Sequence, residues 1–147
     1  MKKLISTLVL GLLLTSCGAK KSPVILSSST NATETSDHYE PFFDVTEYAE
    51  NEAYGLSGEY PVMVGGRSAE NQRRYLSSLA GPRGEVVTFH RRGSCCEYDS
   101  ENGFDGVALV DVYEVVYGNL KQPILVYISF YDSEKLFIPK GFTKRNL

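Results

Sequence analysis

Tryptophan is absent from this 147-residue chain, histidine occurs twice and cysteine three times, with one cysteine at the end of an apolar leader. His90, Cys95 and Cys96 lack the C-x2–4-C spacing of structural zinc sites, and no second cluster supplies further ligands. No metal or other cofactor is therefore expected. Positive charge is also scarce. Removing residues 1–16 takes away Lys2 and Lys3 and no acid, which moves the formal net charge from −3 to −5. That balance excludes a nucleic-acid binder, which needs clustered positive charge, and disfavours a polybasic membrane-surface binder. A bilayer-spanning run is missing too: the apolar stretch from Leu4 to Ser16 would reach ~20 Å as a helix, against a hydrocarbon core of ~30 Å.

That stretch has another use. Met1-Lys2-Lys3 followed by a short apolar run is the pattern of a secretory signal. Leu14-Thr15-Ser16-Cys17 resembles a bacterial lipobox, in which a branched apolar residue and two small ones precede the modified cysteine. The resemblance implies cleavage before Cys17, lipidation of its thiol and acylation (palmitate) of the new N-terminus. Each buried methylene contributes ~0.8 kcal/mol, so two or more chains anchor stably where one does not. The sequence therefore predicts a lipid-anchored envelope protein. Gly18 rather than Asp follows the cysteine, and Lys20 and Lys21 replace an acidic export cluster, which points to the outer membrane with the domain facing the periplasm.

Residues 17–38 are rich in Ser, Thr, Asn and Ala and nearly lack aromatics, so they cannot bury enough surface to offset chain entropy and read as a lipidated, flexible tether. Residues 39–58 mix aromatics (Tyr39, Phe42, Phe43, Tyr48, Tyr54) with acids in no clean period and read as a segment draped over the domain. The domain proper is residues 59–147. At that size one core is near the lower limit of stability without staples, so draping would help. Ten tyrosines and seven phenylalanines suit a β-rich exported domain.

The predicted fold class is α+β, with one helix packed on an antiparallel sheet of four to five strands in the order β-α-β-β-β(-β). The layout is cystatin-like by element order only. Residues 59–66 form a first strand closed by two glycines. Residues 67–82 carry helix punctuation: Ser68 as N-cap, Glu70 in the first turn, Gly81-Pro82 as the stop, and Ala69, Leu76, Leu79 and Ala80 as the apolar stripe, with Ser78 largely outside. Residues 85–91 alternate, with Val87 and Phe89 opposite Val86, Thr88 and His90. Residues 106–118 read as a central strand, and 124–132 follow with Ile124, Val126, Ile128 and Phe130 on one face. Residues 135–142 add an edge strand containing Pro139.

Between these strands, residues 91–106 read as a charged loop with adjacent cysteines. Consecutive Cα atoms lie ~3.8 Å apart, whereas ordinary disulfides span 4.4–6.8 Å. A Cys95–Cys96 bridge is therefore strained and closes no loop in the unfolded chain. On an extended strand the two sulfurs would face opposite sides. Four readings stand, in order: two packing thiols, a vicinal disulfide, a metal or redox site, and a catalytic cysteine with His90 as base and Arg91 and Arg92 as the electropositive setting. Glu97, Asp99, Glu101 and Asp105 do not fit a calcium-loop frame, and Asn102-Gly103 marks a turn. Arg91, Arg92, Asp99 and Asp105 form the candidate binding patch. Asp111 and Glu114, three apart on a strand, face opposite sides, and at least one should pair with a cation such as Arg73 or Arg91.

The stretches "YPVMVGG", "NQRRYLSSLAGPRGE", "RRGSCCEY", "NGFDGVALVDVYEV", "YISFYD" and "LFIPKGFT" resemble a family of small Bacteroidota lipoproteins over residues 60–143. The resemblance carries no activity. Relatives sometimes bear the label 2-dehydro-3-deoxyphosphooctonate aldolase, but that chemistry resembles barrel enzymes of about 250 residues. Lys121, Lys135, Lys140 and Lys144 lie in turns and tail, unsuited to a Schiff-base role. The expected function is a membrane-anchored lipoprotein with a small non-catalytic binding or structural domain. Its partners would be the membrane, through the lipid, and an envelope protein or cell-wall component. The alternative is a thiol-dependent redox or metal-binding protein or enzyme using Cys95/Cys96 with His90.

Overall fold

The computed structural model describes residues 42–146. The leader, Cys17, the tether with His38, and the first residues of the 39–58 segment lie outside that range. The described elements are β1 (Val62–Met63), α1 (Ala69–Ser78), β2 (Leu79–Ala80), β3 (Val87–Phe104), β4 (Val107–Tyr117), β5 (Ile124–Ser129) and β6 (Thr143–Lys144). The fold is α+β: one helix against a four-stranded sheet of order β1-β5-β4-β3, with β2 and β6 as a separate antiparallel pair.

The sheet is mostly antiparallel. Hairpins join β3 to β4 and β4 to β5, whereas β1 runs parallel to β5 with Val62 opposite Ile128. The one parallel pair, at β1, departs from the expected antiparallel layout because α1 is a crossover. It carries the chain from one sheet edge to the other and leaves β1 and β3 pointing the same way. The strand expected over 135–142 is also absent. Ile138 makes a single bridge to Tyr48, and the chain pairs again only at β6. Pro139 in this stretch has no N–H to donate to a ladder.

The helix begins where Ser68 predicts: its hydroxyl accepts from the Glu70 backbone N–H at 3.2 Å, and Glu70 sits in the first turn. It stops earlier than Gly81-Pro82, because Leu79 and Ala80 leave for β2. Its buried face is Gln72, Tyr75, Leu76 and Ser78, whereas Ala69 is exposed. Ser78 is inside because its hydroxyl donates to the Tyr75 carbonyl at 2.6 Å, so it carries no unmet polar group into the core. Tyr75 and Leu76 pack with Val62, Tyr113, Val115, Val126 and Ile128.

Residues 43–60 contain none of these strands or helices, yet they are fixed to the domain. Val45 joins the core, and the Ile138 N–H donates to the Glu47 carbonyl at 2.7 Å. Lys135, Lys140 and Lys144 pair with Glu47, Glu52 and Asp44. The lysines considered for Schiff-base chemistry are thus exposed surface partners, Lys121 being exposed as well.

Candidate functional site on the outer face of the sheet

Alternation along β4 sorts the charged residues onto two faces. Asp111, Tyr113 and Val115 pair with Ile128, Val126 and Ile124 and face the helix; Val112 and Glu114 pair with Tyr127 and Leu125 and face outward. Asp111 and Glu114 are thus on opposite faces, and each finds cations.

On the helix face, the Asp111 carboxylate accepts from Arg91 Nη2 at 2.8 Å, from the Ser94 hydroxyl at 2.7 Å and from Gln72 Nε2 at 3.0 Å. Gln72, which is fully buried, also donates to the Ile128 carbonyl and accepts from the Tyr113 hydroxyl at 2.9 Å. Burial pushes the Asp111 carboxyl upward, but Arg91, Ser94 and Gln72 together outweigh it and hold the group below its ordinary value. No buried side-chain polar atom among the described residues here lacks a partner, which describes a structural network rather than a reactive one.

On the outer face, His90 Nε2 lies 3.1 Å from Glu114 Oε2, and Arg92 Nε lies 3.7 Å from the other carboxylate oxygen. Arg91 and Arg92 therefore point away from each other across the sheet. Asp99 is exposed opposite Val107, and Asp105 sits in the hairpin turn with φ +50°. The four residues of the candidate patch do not converge.

The stretch expected to be a loop is the distal half of β3. Its register against β4 shifts between Arg91 and Gly93, between Cys95 and Glu97, and between Asp99 and Phe104. A one-residue insertion turns two consecutive residues toward one side of a strand. That is how Cys95 and Cys96 come to be bridged: Cys95 is in register with Val110 on the outer face, and Cys96, the inserted residue with φ +43°, turns to meet it. The leading expectation of two separate packing thiols is corrected. The pair is a vicinal disulfide, and the strict alternation that would have kept the sulfurs apart fails at Cys96.

Beyond the disulfide, Tyr98 lies opposite Ala108. The small alanine lets the tyrosine cross β4, and its hydroxyl reaches Ser129 Oγ at 2.8 Å and Met63 Sδ at 3.5 Å. Burial is the main reason its phenol is pushed up to about 12. Asn102-Gly103 is not the turn. The chain reverses at Asp105-Gly106, while Asn102 Nδ2 and the Ser100 hydroxyl both donate to Asp132 at 2.7 and 2.9 Å.

Gly93, Val112 and Tyr127 form one row across three strands. A β-carbon on Gly93 would meet nothing within 4 Å. Over this gap the sheet carries an open cavity of about 400 Å³. Buried Val112 is its floor, Leu125 and Tyr127 stand on one side, the Cys95–Cys96 bridge on the other, and exposed Arg92 at the rim. Sequence reasoning named Arg92 and held the disulfide only as its second reading, and it missed Gly93, Val112, Leu125 and Tyr127. A lone glycine within a strand pattern is a signal of a bulge or a close approach, but only once residues 91–106 are recognised as strand.

The cavity brings together Cys95, Cys96 and Arg92; it does not include His90 or Arg91. Comparison of the chain with protein-family models, with curated protein sequences and with solved structures finds no match.

Proposed function

We propose that this chain is a lipid-anchored envelope lipoprotein whose α+β domain is a non-catalytic binding module, and that it binds through the outer face of the sheet. One observation carries the reading: the cavity over Gly93 is open and mainly apolar-walled, with one cation at its rim. Both sulfurs beside it are committed to a disulfide, so no thiolate stands ready as a nucleophile. His90, the base candidate, faces Glu114 instead. Anchoring rests on the Leu14-to-Cys17 motif, and the domain would face the periplasm from the outer membrane, with an envelope protein or cell-wall component as partner.

Two measurements test it. Palmitate labelling and membrane fractionation should find the wild-type chain lipidated and sedimenting with the outer membrane, and Cys17→Ser unlabelled; a soluble, unlabelled wild type defeats anchoring. Cys17→Ser protein should then cosediment with purified cell-wall sacculi or with isolated outer-membrane vesicles. Retention on neither defeats the binding module.

The thiol-dependent reading has one observation in its favour, the exposure of Cys96 on an accessible face. It predicts that a Cys95→Ser, Cys96→Ser double variant loses function. The binding module predicts that this variant keeps most of it.

A further inference from the structure

We propose that the outer-face cavity is a binding site for a small carboxylic acid carried on a ring, with Arg92 as the carboxylate receptor. The inference rests on the binding-module reading and gives it a ligand class.

Four features point there. The first is room: with no side chain on Gly93, the Gly93–Val112–Tyr127 row leaves about 400 Å³, within the ~300–1,000 Å³ range of small-molecule sites. The second is wall chemistry. Tyr127 offers an aromatic ring, Leu125 and Val112 offer aliphatic surface, and the disulfide offers two polarisable sulfurs. Broad apolar surfaces of this kind suit the flat or chair-shaped face of a ring.

The third feature is charge. Among the described residues lining the cavity, Arg92 is the only charged one. Its side chain is 62% exposed, and its contact with Glu114 runs through Nε at 3.7 Å, beyond hydrogen-bond length. Among the described residues its terminal nitrogens make no hydrogen bond or ion pair, so one planar fork is available for a carboxylate. A single guanidinium, with no second cation among the described lining residues, suits a monoanion better than a phosphate dianion. Glu114, the nearest carboxylate, is held by His90 at 3.1 Å and is not part of the lining.

The fourth feature is how the chain delivers these groups. Arg92 and Cys96 are each the extra residue at a register shift in β3. The insertion at Arg92 sets two residues, Arg92 and Gly93, against Val112, and the one at Cys96 turns its sulfur to meet Cys95; bulges are known for re-aiming side chains beside sites.

A ring-bearing carboxylate has two sources in an envelope: acidic sugars and aromatic acids. Glucuronate and 4-hydroxybenzoate probe them separately, with glucose and 4-hydroxybenzamide as uncharged counterparts. Each is titrated into the mature full chain in detergent, following the amide signals of Gly93, Cys95 and Tyr127 by NMR. At least one acid should shift these signals, with its neutral counterpart at least about tenfold weaker. Arg92→Gln should weaken the acid by about tenfold, the scale of a charge-assisted hydrogen bond. Gly93→Leu should abolish binding while the rest of the spectrum stays native, because its side chain enters open space.

The inference is overturned if neither acid shifts the signals, if the neutral counterparts bind equally, or if Gly93→Leu binds as the wild type does. Silence from both acids alongside retention on sacculi or vesicles that Gly93→Leu removes overturns the ligand class and leaves the binding module standing. Silence in both assays overturns both.

Discussion

The Cys96 sulfur rests directly on the backbone of Gly58, so closely that a β-carbon on the glycine would overlap it. The segment preceding β1 therefore touches the vicinal disulfide at Gly58 and uses it as a contact surface. Loss of that fit has a cost that does not depend on loop closure.

Gly58→Ala should destabilise the protein by about 1–3 kcal/mol, the usual cost of overpacking a fitted contact. Urea denaturation should show a lower midpoint with an unchanged slope. In a Cys96→Ala background, where the sulfur is gone, the same substitution should cost much less. Equal costs in the two backgrounds would mean that the pair does not touch in solution.

On the proposed anchoring, which takes up the Cys17 thiol, the mature chain should contain no titratable thiol when denatured without reductant and two after a dithiol has reduced the bridge. Because a bridge between neighbours closes no loop, reduction should remove little unfolded-state stabilisation. Any larger fall in melting temperature would then reflect the Gly58 contact. Two thiols in the untreated protein would refute the bridged pair.

Acid should weaken the fold through Asp111. Its carboxyl is depressed in the folded state, so its stabilising contribution is complete above the unfolded value of ~3.9 and is lost as pH falls through the lower folded value. Denaturation midpoints should therefore decline below about pH 4, and Asp111→Asn should flatten that decline. Arg91→Ala, which strips the cation from a buried carboxylate, should cost about 2–3 kcal/mol near neutral pH, discounted because Arg91 is half exposed.

Alkali should act through Tyr98. Its phenol is raised to about 12, so the neutral ring's stabilising contribution is intact below ~10 and is lost as pH rises toward that value. Tyr98→Phe should remove about 1 kcal/mol at neutral pH by freeing the Ser129 hydroxyl of one partner. It should also remove one late-titrating phenol from the ultraviolet absorbance change. An unchanged titration above pH 11 would count against the buried hydroxyl.

The readable parts of this fold were those set by local chemistry. Ser68 and Glu70 announce the helix start through capping, and the Val87/Phe89 alternation announces β3. The β-branched run in β4 announces a central strand. What escaped depends on partners remote in sequence. Gln72 looks like a surface residue on a helix, and it is buried only because Asp111, Tyr113 and the Ile128 carbonyl absorb its amide. Residues 91–106 look like a loop because their charges and glycine suppress strand signals, yet β4 supplies a template that pairs with them regardless. The cavity was illegible for the same reason: its walls come from three strands, and its cause is an absent side chain.

The strand that carries this site is also exposed to a hazard. β3 lies at the sheet border, 18 residues long, with one side of its backbone unmatched by any neighbouring strand of the sheet. A flat border of that length invites a second copy to extend the sheet and so seeds aggregation. The register shifts break its hydrogen-bonding groups into short, mutually misaligned runs, and Arg91, Arg92 and Glu97 add charge along it. The irregularity that shapes the cavity also keeps neighbouring copies of the chain from templating one another.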